Sequence, residues 1–289
     1  MTGGAGEGSA PRRTFRLSET VSISYRVHGR GGTPIVFLHG FAASLTTWHD
    51  LVPFFAPERY TLYLLDLKGF GRSSKPADGH YRPEDQAAVV TAFLEHEGLS
   101  GAILAGHSLG GGIAILAYLH ARRSGKEELI GRLVLIDCAA RPQRLPPVMR
   151  LLRVPGLGWC ILNLLPIPFM VRYTLRRLFR NRQAITRERI ARYVDSYGGK
   201  GTDRVFIGSC RQLVPADYAP LIPLYRTIGV PVLIVWGRED RIILLEQGLR
   251  LRDEIPGARL AVIGECGHNP HEERPAETHA AIRDFLEGR

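Results

Sequence analysis

The stretch Ala102–Gly111, AILAGHSLGG, decides the fold predicted for this 289-residue chain. A short apolar run, typical of a buried strand, leads into a glycine-flanked serine, and a helical stretch, Leu109–Arg122, follows at once. Gly106 and Gly110 flank Ser108 because a Cβ at either place would collide with the neighbouring strand or helix. A strand, a sharp turn and a helix form a nucleophile elbow, so we predict that Ser108 is a nucleophile. The alternative is a glycine-rich helix start with a capping serine.

Similar short apolar runs recur along the chain and alternate with helical candidates. The runs are unbroken, as expected for strands that are covered on both faces of a sheet. This alternation predicts an α/β fold with a mostly parallel central sheet flanked by helices. Polar alternation in Arg16–Val27 predicts an antiparallel hairpin leading into that sheet. The other runs are Pro34–Leu38, Tyr60–Leu65, Leu133–Ile136, Pro231–Val235 and Leu260–Ile263, and the other helical candidates are Glu84–Glu97 and Pro275–Leu286.

The alternation stops after Cys138 and resumes near Ile228, and the chain between them is rich in leucine, arginine and proline. Val171–Leu178 has apolar residues at helical spacing, and a second such repeat follows Thr186, a candidate capping residue. This pattern indicates a helical insertion between two strands. We predict a flexible tail at 1–14, a core made of 15–139 and 223–289, and a helical basic cap at 140–222, inserted after the sixth strand.

The net charge of +10 lies mainly in this insertion. Residues 141–215 contain 15 Lys and Arg but only 3 Asp and Glu, so the rest of the chain is slightly acidic. Three interpretations stay open for the basic cap: a solvated arginine face, a contact with an anionic lipid surface, or a contact with an acidic acyl carrier. The uncharged stretch Val154–Val171 resembles an interfacial lid, and its prolines argue against a membrane span. No nucleic-acid-binding pattern is present, so no nucleic-acid partner is expected.

Composition excludes several other classes of protein. The chain is 45% hydrophobic and 23% charged, which is not the balance of a disordered or fibrous chain. Its N-terminus has no apolar stretch of the signal-peptide kind. Its cysteines form no CxxC pair and no metal-ligand cluster, which favours a reduced protein in the cytoplasm, free or peripheral at a membrane. The four cysteines are Cys138, Cys160, Cys210 and Cys266.

A serine nucleophile needs a base and an acid that orients the base. His268 follows the last predicted strand, and Asp240 follows the PVLIV run, so both should lie at the carboxyl edge of the sheet. We predict His268 as the base and Asp240 as the acid, because the order Ser, Asp, His is the one expected for this elbow. His271 is the reserve base. Glu239 and Asp137 are interpreted as solvated or loop-bonding carboxylates.

A second motif, His39-Gly40-Phe41, follows the PIVFL run. An oxyanion hole needs backbone N–H donors where the oxygen of the tetrahedral intermediate will lie. We predict that the N–H groups of Phe41 and Leu109 are those donors. His39 is interpreted as a structural histidine that bonds loop backbone, and the side chain of His107 is expected to point away from the nucleophile.

Five segments together resemble the signature of the α/β-hydrolase fold: HGF, DLKGFGRSSKP (Asp66–Pro76), GHSLGG, WGREDRI and CGHNPHEERP. They occur in the order of that family and span nearly all of residues 15–289 outside the insertion. The resemblance implies a catalytic triad, a cap over the active site whose lining sets substrate choice, and no metal or organic cofactor. The implied triad is Ser108, Asp240 and His268, and Asp66, Gly69 and Gly71 are interpreted as structural.

The activity expected from this resemblance is hydrolysis of a carboxylic ester, as in esterases and lipases, with a hydrophobic or lipid-like acyl chain. Epoxide hydrolases and haloalkane dehalogenases of this fold use an aspartate where this chain has Ser108. Carbon–carbon hydrolases of meta-cleavage pathways keep the serine, but usually carry an aromatic residue where this chain has Asn269. Cofactor-free haloperoxidases and perhydrolases, which share the triad, and a non-catalytic ligand receptor of the same fold remain alternatives.

Overall fold

The computed structural model describes residues 10–142, 145–213 and 220–289. Eight strands form one sheet in the described residues: β1 (Arg12–Arg16), β2 (Ser22–Gly29), β3 (Thr33–Leu38), β4 (Tyr60–Leu65), β5 (Ala102–His107), β6 (Ile130–Ile136), β7 (Val232–Gly237) and β8 (Arg259–Ile263). Their order across the sheet is β1-β2-β4-β3-β5-β6-β7-β8. Strand β2 is antiparallel to β1 and β4, and the other neighbours are parallel.

The mostly parallel sheet and the N-terminal hairpin are therefore confirmed. The hairpin begins earlier than expected, because β1 starts at Arg12 and pairs with Arg26 of β2. The predicted tail at 1–14 was wrong for residues 12–14, which are in a strand, and residues 1–9 of that tail lie outside the described part. Pairing with β2 supplies the backbone hydrogen bonds that order this polar segment.

Five helices pack against the sheet in the described residues outside the insertion: α1 (Pro83–His96), α2 (Leu109–Arg123), α9 (Leu245–Glu254), α10 (Pro270–Glu273) and α11 (Pro275–Leu286). The sequence predicted α1, α2 and α11 to within one residue at each end. It did not predict α9, which has Gly248 in its middle. A Cβ at Gly248 would lie 2.6 Å from Cε3 of Trp236, so the glycine allows this helix to lie close to the indole.

Strand β5 explains why the apolar runs are unbroken. Leu104 belongs to a core cluster with residues of α1 and α2, on one face of the sheet. Ile103 and Ala105 belong to a second cluster with Phe285 of α11, on the other face. Because successive side chains of a strand point to opposite faces, a sheet with helices on both sides needs apolar residues at every position.

The insertion after the sixth strand contains helices in the part that the structure describes. In its described residues, 145–213 and 220–225, the helices are α3 (Pro147–Leu152), α4 (Leu157–Leu164), α5 (Ile167–Leu178), α6 (Arg187–Ser196), α7 (Thr202–Gln212) and α8 (Ile222–Tyr225). Val171 and Leu175 form the buried face of α5, and the side chain of Thr186 caps α6 by accepting a hydrogen bond from the N–H of Arg189. Among the described residues, no helix combines the length and apolar character needed to cross a bilayer.

Candidate active site

The elbow at Ser108 has a strained backbone. Strand β5 ends at His107 and α2 begins at Leu109, so Ser108 alone makes the turn, with φ 53° and ψ −117°. L-residues rarely adopt this region, and strain of this kind is concentrated at functional sites. The tight turn also needs glycine on both sides of the serine. A Cβ at Gly106 would lie 2.3 Å from the carbonyl oxygen of Gly110, which no ordinary side-chain contact allows.

The structure brings His268 and Asp240 into direct contact. Nδ1 of His268 donates a 2.7 Å hydrogen bond to Oδ2 of Asp240, and both residues are only 3% exposed. Oδ1 of Asp240 accepts hydrogen bonds from the N–H groups of Ile242 and Ile243, at 2.7 and 3.1 Å. Burial alone would raise the pKa of Asp240, but the neighbouring imidazole and these hydrogen bonds hold that pKa below its usual value. An ionised Asp240 fixes Nδ1 as the protonated nitrogen, which leaves Nε2 as the basic one.

His107 connects the elbow to the loop that carries His268. Its Nε2 donates to the main-chain oxygen of His268 at 2.8 Å, and the two rings lie 4.9 Å apart. Burial lowers the pKa of His107 to about 3, so the ring is neutral near pH 7. Because His107 directly precedes Ser108, this bond places the turn at Ser108 beside the loop that carries His268. The sequence did not predict this contact, which joins residues far apart along the chain.

The loop after β3 lies against the elbow. A Cβ at Gly40 would lie 2.9 Å from Nδ1 of His107 and 3.3 Å from Cβ of Ser108. His39 holds this loop, because its Nδ1 donates to the carbonyl oxygen of Gly40 at 2.7 Å and its Nε2 accepts from the N–H of Leu67 at 3.0 Å. This agrees with the interpretation of His39 as a structural histidine.

In the part of the chain that the structure describes, the two N–H groups predicted to form the oxyanion hole have no recorded acceptor. Leu109 is the first residue of α2, so its N–H has no acceptor within the helix. The N–H of Phe41 has no backbone acceptor within the described residues. The ring of Phe41 packs between Phe70 of the core, at 5.8 Å, and Phe206 of α7, at 5.6 Å. The wall beside these two donors is therefore aromatic, and part of it comes from the cap.

Asp137 takes part in the acid pair, which the sequence did not predict. Glu239 bonds loop backbone as expected, accepting from the N–H of Cys266 at 2.9 Å. Asp137 accepts from the N–H of Gly237 at 3.1 Å, but it is fully buried rather than solvated, and its carboxyl group lies within 4.8 Å of Asp240 and His268. Burial, and then the charge of Asp240, raise the pKa of Asp137 well above its usual value, so Asp137 is the protonated partner. The strand order could have indicated that Asp137 and Asp240 lie close together. Asp137 directly follows β6, Asp240 follows β7, and these two strands are neighbours in the sheet.

Asp137, Asp240 and His268 are also the group in the described part of the chain whose atoms lie close enough, within 4.8 Å, to hold a metal ion. Several atoms of this group are already used in hydrogen bonds. Nδ1 of His268 is bonded to Oδ2 of Asp240, and Oδ1 of each carboxyl group accepts hydrogen bonds from backbone N–H groups. The donor set therefore fits a relay of hydrogen bonds better than a metal centre.

The reserve base, His271, lies close by but has a different environment. Its Nε2 is bonded to Oγ1 of Thr47 at 2.9 Å, and its ring packs 4.5 Å from the rings of Trp48 and His107. Burial, and then the neighbouring histidines, lower the pKa of His271 well below its usual value. His271 is therefore a neutral core residue, while the histidine that contacts the acid is His268.

The residue after His268 belongs to a buried polar network between core and cap. Nδ2 of Asn269 donates to Oε2 of Glu272 at 2.5 Å and to the hydroxyl of Tyr193 in α6 at 3.1 Å. The hydroxyl of Tyr193 also donates to Glu272, at 2.5 Å. Arg189 of α6 carries this network to Asp50 of the core, at 2.5 Å. The cap is thus bonded directly to the segment that carries the histidine.

Asp66 has the structural role that we inferred for it. Its carboxylate accepts from the N–H groups of Leu45 and Arg72, at 2.8 and 2.9 Å, and pairs with Arg12 at 2.8 Å. A Cβ at Gly71, where φ is +50°, would lie 2.3 Å from Cγ of Asp66. The carboxylate therefore organises this loop.

The strand order and the elbow after β5 define the class of the α/β hydrolases. The model of the alpha/beta hydrolase family matches residues 35–281, and the chain belongs to this family.

Several known proteins resemble the chain over almost its whole length. It is 29% identical over 283 residues to the uncharacterized hydrolase YugF of Bacillus subtilis (strain 168), which covers 97% of this chain and 99% of that protein. It is 30% identical over 293 residues to 2-hydroxymuconate semialdehyde hydrolase of Pseudomonas sp. (strain CF600), with 96% of both covered. Among solved structures, a bacterial membrane phospholipase A superposes with a TM-score of 0.77 at 27% identity, over 97% of this chain and 86% of that one.

Proposed function

We propose that this hydrolase cleaves carboxylic esters with an apolar acyl chain, through a covalent acyl-enzyme on Ser108. The observation that carries the proposal is the 2.7 Å bond between His268 and Asp240, on a loop that is hydrogen-bonded to His107, the residue before Ser108 on its strained elbow. A serine hydroxyl is a weak nucleophile unless an oriented base removes its proton. These three residues supply the nucleophile, the base and the orienting acid.

In the first half of the reaction, Oγ of Ser108 attacks the ester carbonyl carbon while Nε2 of His268 takes the hydroxyl proton. The carbonyl oxygen becomes an oxyanion and accepts hydrogen bonds from the N–H groups of Phe41 and Leu109. The bond to the leaving alcohol then breaks, and that alcohol takes the proton from Nε2. The carboxylate of Asp240 offsets the transient positive charge of the imidazole.

In the second half, water attacks the acyl group on Ser108 and gives a proton to Nε2 of His268. The same two N–H groups stabilise the second oxyanion. Breakdown of this intermediate releases the carboxylic acid and returns the proton to Oγ. One ester and one water are consumed, one acid and one alcohol are formed, and the protein is regenerated.

The preference for an apolar acyl chain rests on the aromatic wall around Phe41. The ring of Phe41 is partly buried, and its neighbours Phe70 and Phe206 are almost completely buried aromatic rings, so the side chains around the predicted donor at Phe41 are apolar. Such a wall favours a hydrocarbon chain over a charged group, which would lose its hydration there. The similarity to a membrane phospholipase A supports an ester of lipid type.

The test is a series of p-nitrophenyl esters of increasing acyl length, hydrolysed by the wild type and by Ser108→Ala. We expect kcat/KM to rise with chain length, and Ser108→Ala to lower kcat by several orders of magnitude. A fluorophosphonate probe should label the wild type and not the variant. Equal hydrolysis by both proteins would contradict the proposal, and absence of labelling would favour a binding protein.

A second candidate is a carbon–carbon hydrolase, favoured by the 30% identity to 2-hydroxymuconate semialdehyde hydrolase. Against it stands Asn269, since such enzymes usually have an aromatic residue after the catalytic histidine. In this chain the amide of Asn269 is bonded to Glu272 and Tyr193, so an aromatic residue there would break the buried network. The test is the rate at which the protein consumes 2-hydroxymuconate semialdehyde. Turnover of this compound without hydrolysis of any ester in the series would replace the first proposal with the second.

A further inference from the structure

The first half of the cap exposes an unusual amount of apolar surface. Of the twelve large hydrophobic residues that are exposed in the described chain, eight lie between residues 151 and 173. The most exposed are Leu164, Phe169 and Trp159, at 68%, 62% and 52%. The full set, here named the cap patch, is Leu151, Val154, Leu157, Trp159, Leu164, Leu165, Phe169 and Tyr173. Soluble surfaces rarely expose so many large apolar groups in so short a stretch, and such patches mark interaction sites.

The same part of the cap is positively charged. The sequence contains no Asp or Glu between Asp137 and Glu188. Helix α5 turns Val171 and Leu175 inward, and its outward face carries two aromatic residues among three arginines. The exposed arginines of this region are Arg150, Arg153, Arg172, Arg176, Arg177, Arg180 and Arg182.

We propose that the cap patch docks in the plane of an anionic lipid bilayer. Apolar and aromatic side chains enter the boundary between headgroups and acyl chains, while arginines beside them contact lipid phosphates. Tryptophan and tyrosine favour this boundary, because their rings have both apolar and polar parts. The helices that carry the patch have 6 to 12 residues, so docking is parallel to the surface.

The charge pattern favours a bilayer over other occupants. A second copy of this chain, docked through the same patch, would bring two arginine-rich surfaces together with no carboxylate from residues 138–187 to pair with them. An acidic carrier protein would complement the arginines, but it would leave large residues such as Leu164 and Phe169 without an apolar environment. An anionic bilayer satisfies both the charge and the apolar surface.

This docking goes beyond the proposed ester chemistry. It is tested by vesicle binding, which needs no hydrolysis, so the docking proposal can hold even if the substrate proposal is wrong. In α5, the patch residues Phe169 and Tyr173 are exposed, whereas Val171 and Leu175 are buried. The inner face of this helix packs on Ala43, two residues after Phe41 of the oxyanion loop. Docking would therefore bring the cap, and the site below it, next to lipid-soluble substrates.

The first experiment is co-sedimentation of the full chain with vesicles of phosphatidylcholine alone and of phosphatidylcholine with phosphatidylglycerol. We expect binding to the anionic vesicles that weakens at high salt. Two variants of the patch should each bind at least about tenfold more weakly, while two matched variants elsewhere bind as the wild type does. The patch variants are Leu164→Ser with Phe169→Ser, and Arg172→Gln with Arg176→Gln and Arg177→Gln; the matched controls are Leu244→Ser with Leu249→Ser, and Arg30→Gln with Arg123→Gln and Arg250→Gln.

The second experiment uses tryptophan fluorescence. Trp48 and Trp236 are fully buried, so Trp159 is the exposed one of the three tryptophans. Anionic vesicles should shift the emission to shorter wavelength and protect it from acrylamide, and Trp159→Phe should lose both effects while still sedimenting. Circular dichroism and urea unfolding check that each variant is folded. Equal sedimentation of patch and control variants, or binding to an acidic acyl carrier protein with none to vesicles, would overturn the proposal.

Discussion

The carboxyl groups of Asp137 and Asp240 lie together next to the imidazole of His268, with one polar atom of each of the three residues within 4.8 Å of the others. Two ionised carboxylates would repel each other strongly in so buried a place, and one shared proton removes that repulsion. The hydrogen bonds decide which group holds the charge. Asp240 accepts from the imidazole and from the N–H groups of Ile242 and Ile243, whereas Asp137 accepts from one N–H group, that of Gly237.

Asparagine substitutions should therefore have very different effects at the two positions. Asp137→Asn keeps a donor for Asp240 and an acceptor for the N–H of Gly237, so we expect kcat/KM on the preferred ester to stay within about threefold of wild type. Asp240→Asn removes the charge that orients His268 and should lower kcat by roughly 10⁴-fold. Steady-state kinetics of both variants would test the assignment, and the reverse pattern would make Asp137 the orienting acid.

The buried His107 should make stability depend on pH. Its folded pKa of about 3 lies below the value of about 6.5 expected in the unfolded chain, so the unfolded state takes up a proton first as the pH falls. The contribution of His107 to stability is complete above about pH 6.5 and is lost progressively below it, by about 2 kcal/mol at pH 5. Urea unfolding measures this effect. From pH 7.5 to pH 5, the unfolding free energy of His107→Gln should rise by that amount relative to wild type. The control is His120→Gln, on the exposed surface of α2. If the difference in unfolding free energy between His107→Gln and wild type is the same at both pH values, the expectation is wrong.

The elbow should not tolerate a larger residue at Gly106. Gly106→Ala would push a Cβ against the backbone of Gly110 and Gly111, and we expect a loss of at least about 2 kcal/mol of unfolding free energy. Gly208 in α7 is a matched control, because a Cβ there meets no atom within 4 Å. Gly208→Ala should stabilise the protein by about 0.5–1 kcal/mol, since alanine loses less backbone entropy in a helix. Chemical denaturation of both variants measures the contrast, and similar stabilities would mean that the turn can relax.

The network between cap and core should depend on one hydroxyl. Tyr193→Phe removes the donor to Glu272 and leaves Asn269 with one partner fewer, so we expect a loss of about 1–3 kcal/mol in urea unfolding. Tyr173→Phe, on the exposed face of α5, is the matched control and should change stability by less than about 0.5 kcal/mol. If both variants have the same unfolding free energy, the hydroxyl of Tyr193 does not hold the cap to the loop that carries His268.

Local patterns were sufficient for most of the architecture. The strands β3 to β8, the helices α1, α2 and α11, and the position of the insertion followed from apolar runs and helical spacing. The sequence did not predict α9. A glycine in the middle of a helix is unfavourable, and the close approach of Trp236 that requires Gly248 there is visible only in the structure. It also placed the first residues of β1 in a tail, because these polar residues are ordered only by pairing with β2.

The sequence by itself determined the strand–turn–helix around Ser108 and the loops in which an acid and a base should be sought, because these follow from local pattern and from the rule that parallel strands end at one edge. Only the tertiary structure decided that His268 and not His271 contacts an acid, that Asp137 joins Asp240, and that His107 ties the elbow to the histidine loop. These choices depend on distances and burial between segments more than 25 residues apart, which set proton positions and charge, and no local pattern contains them.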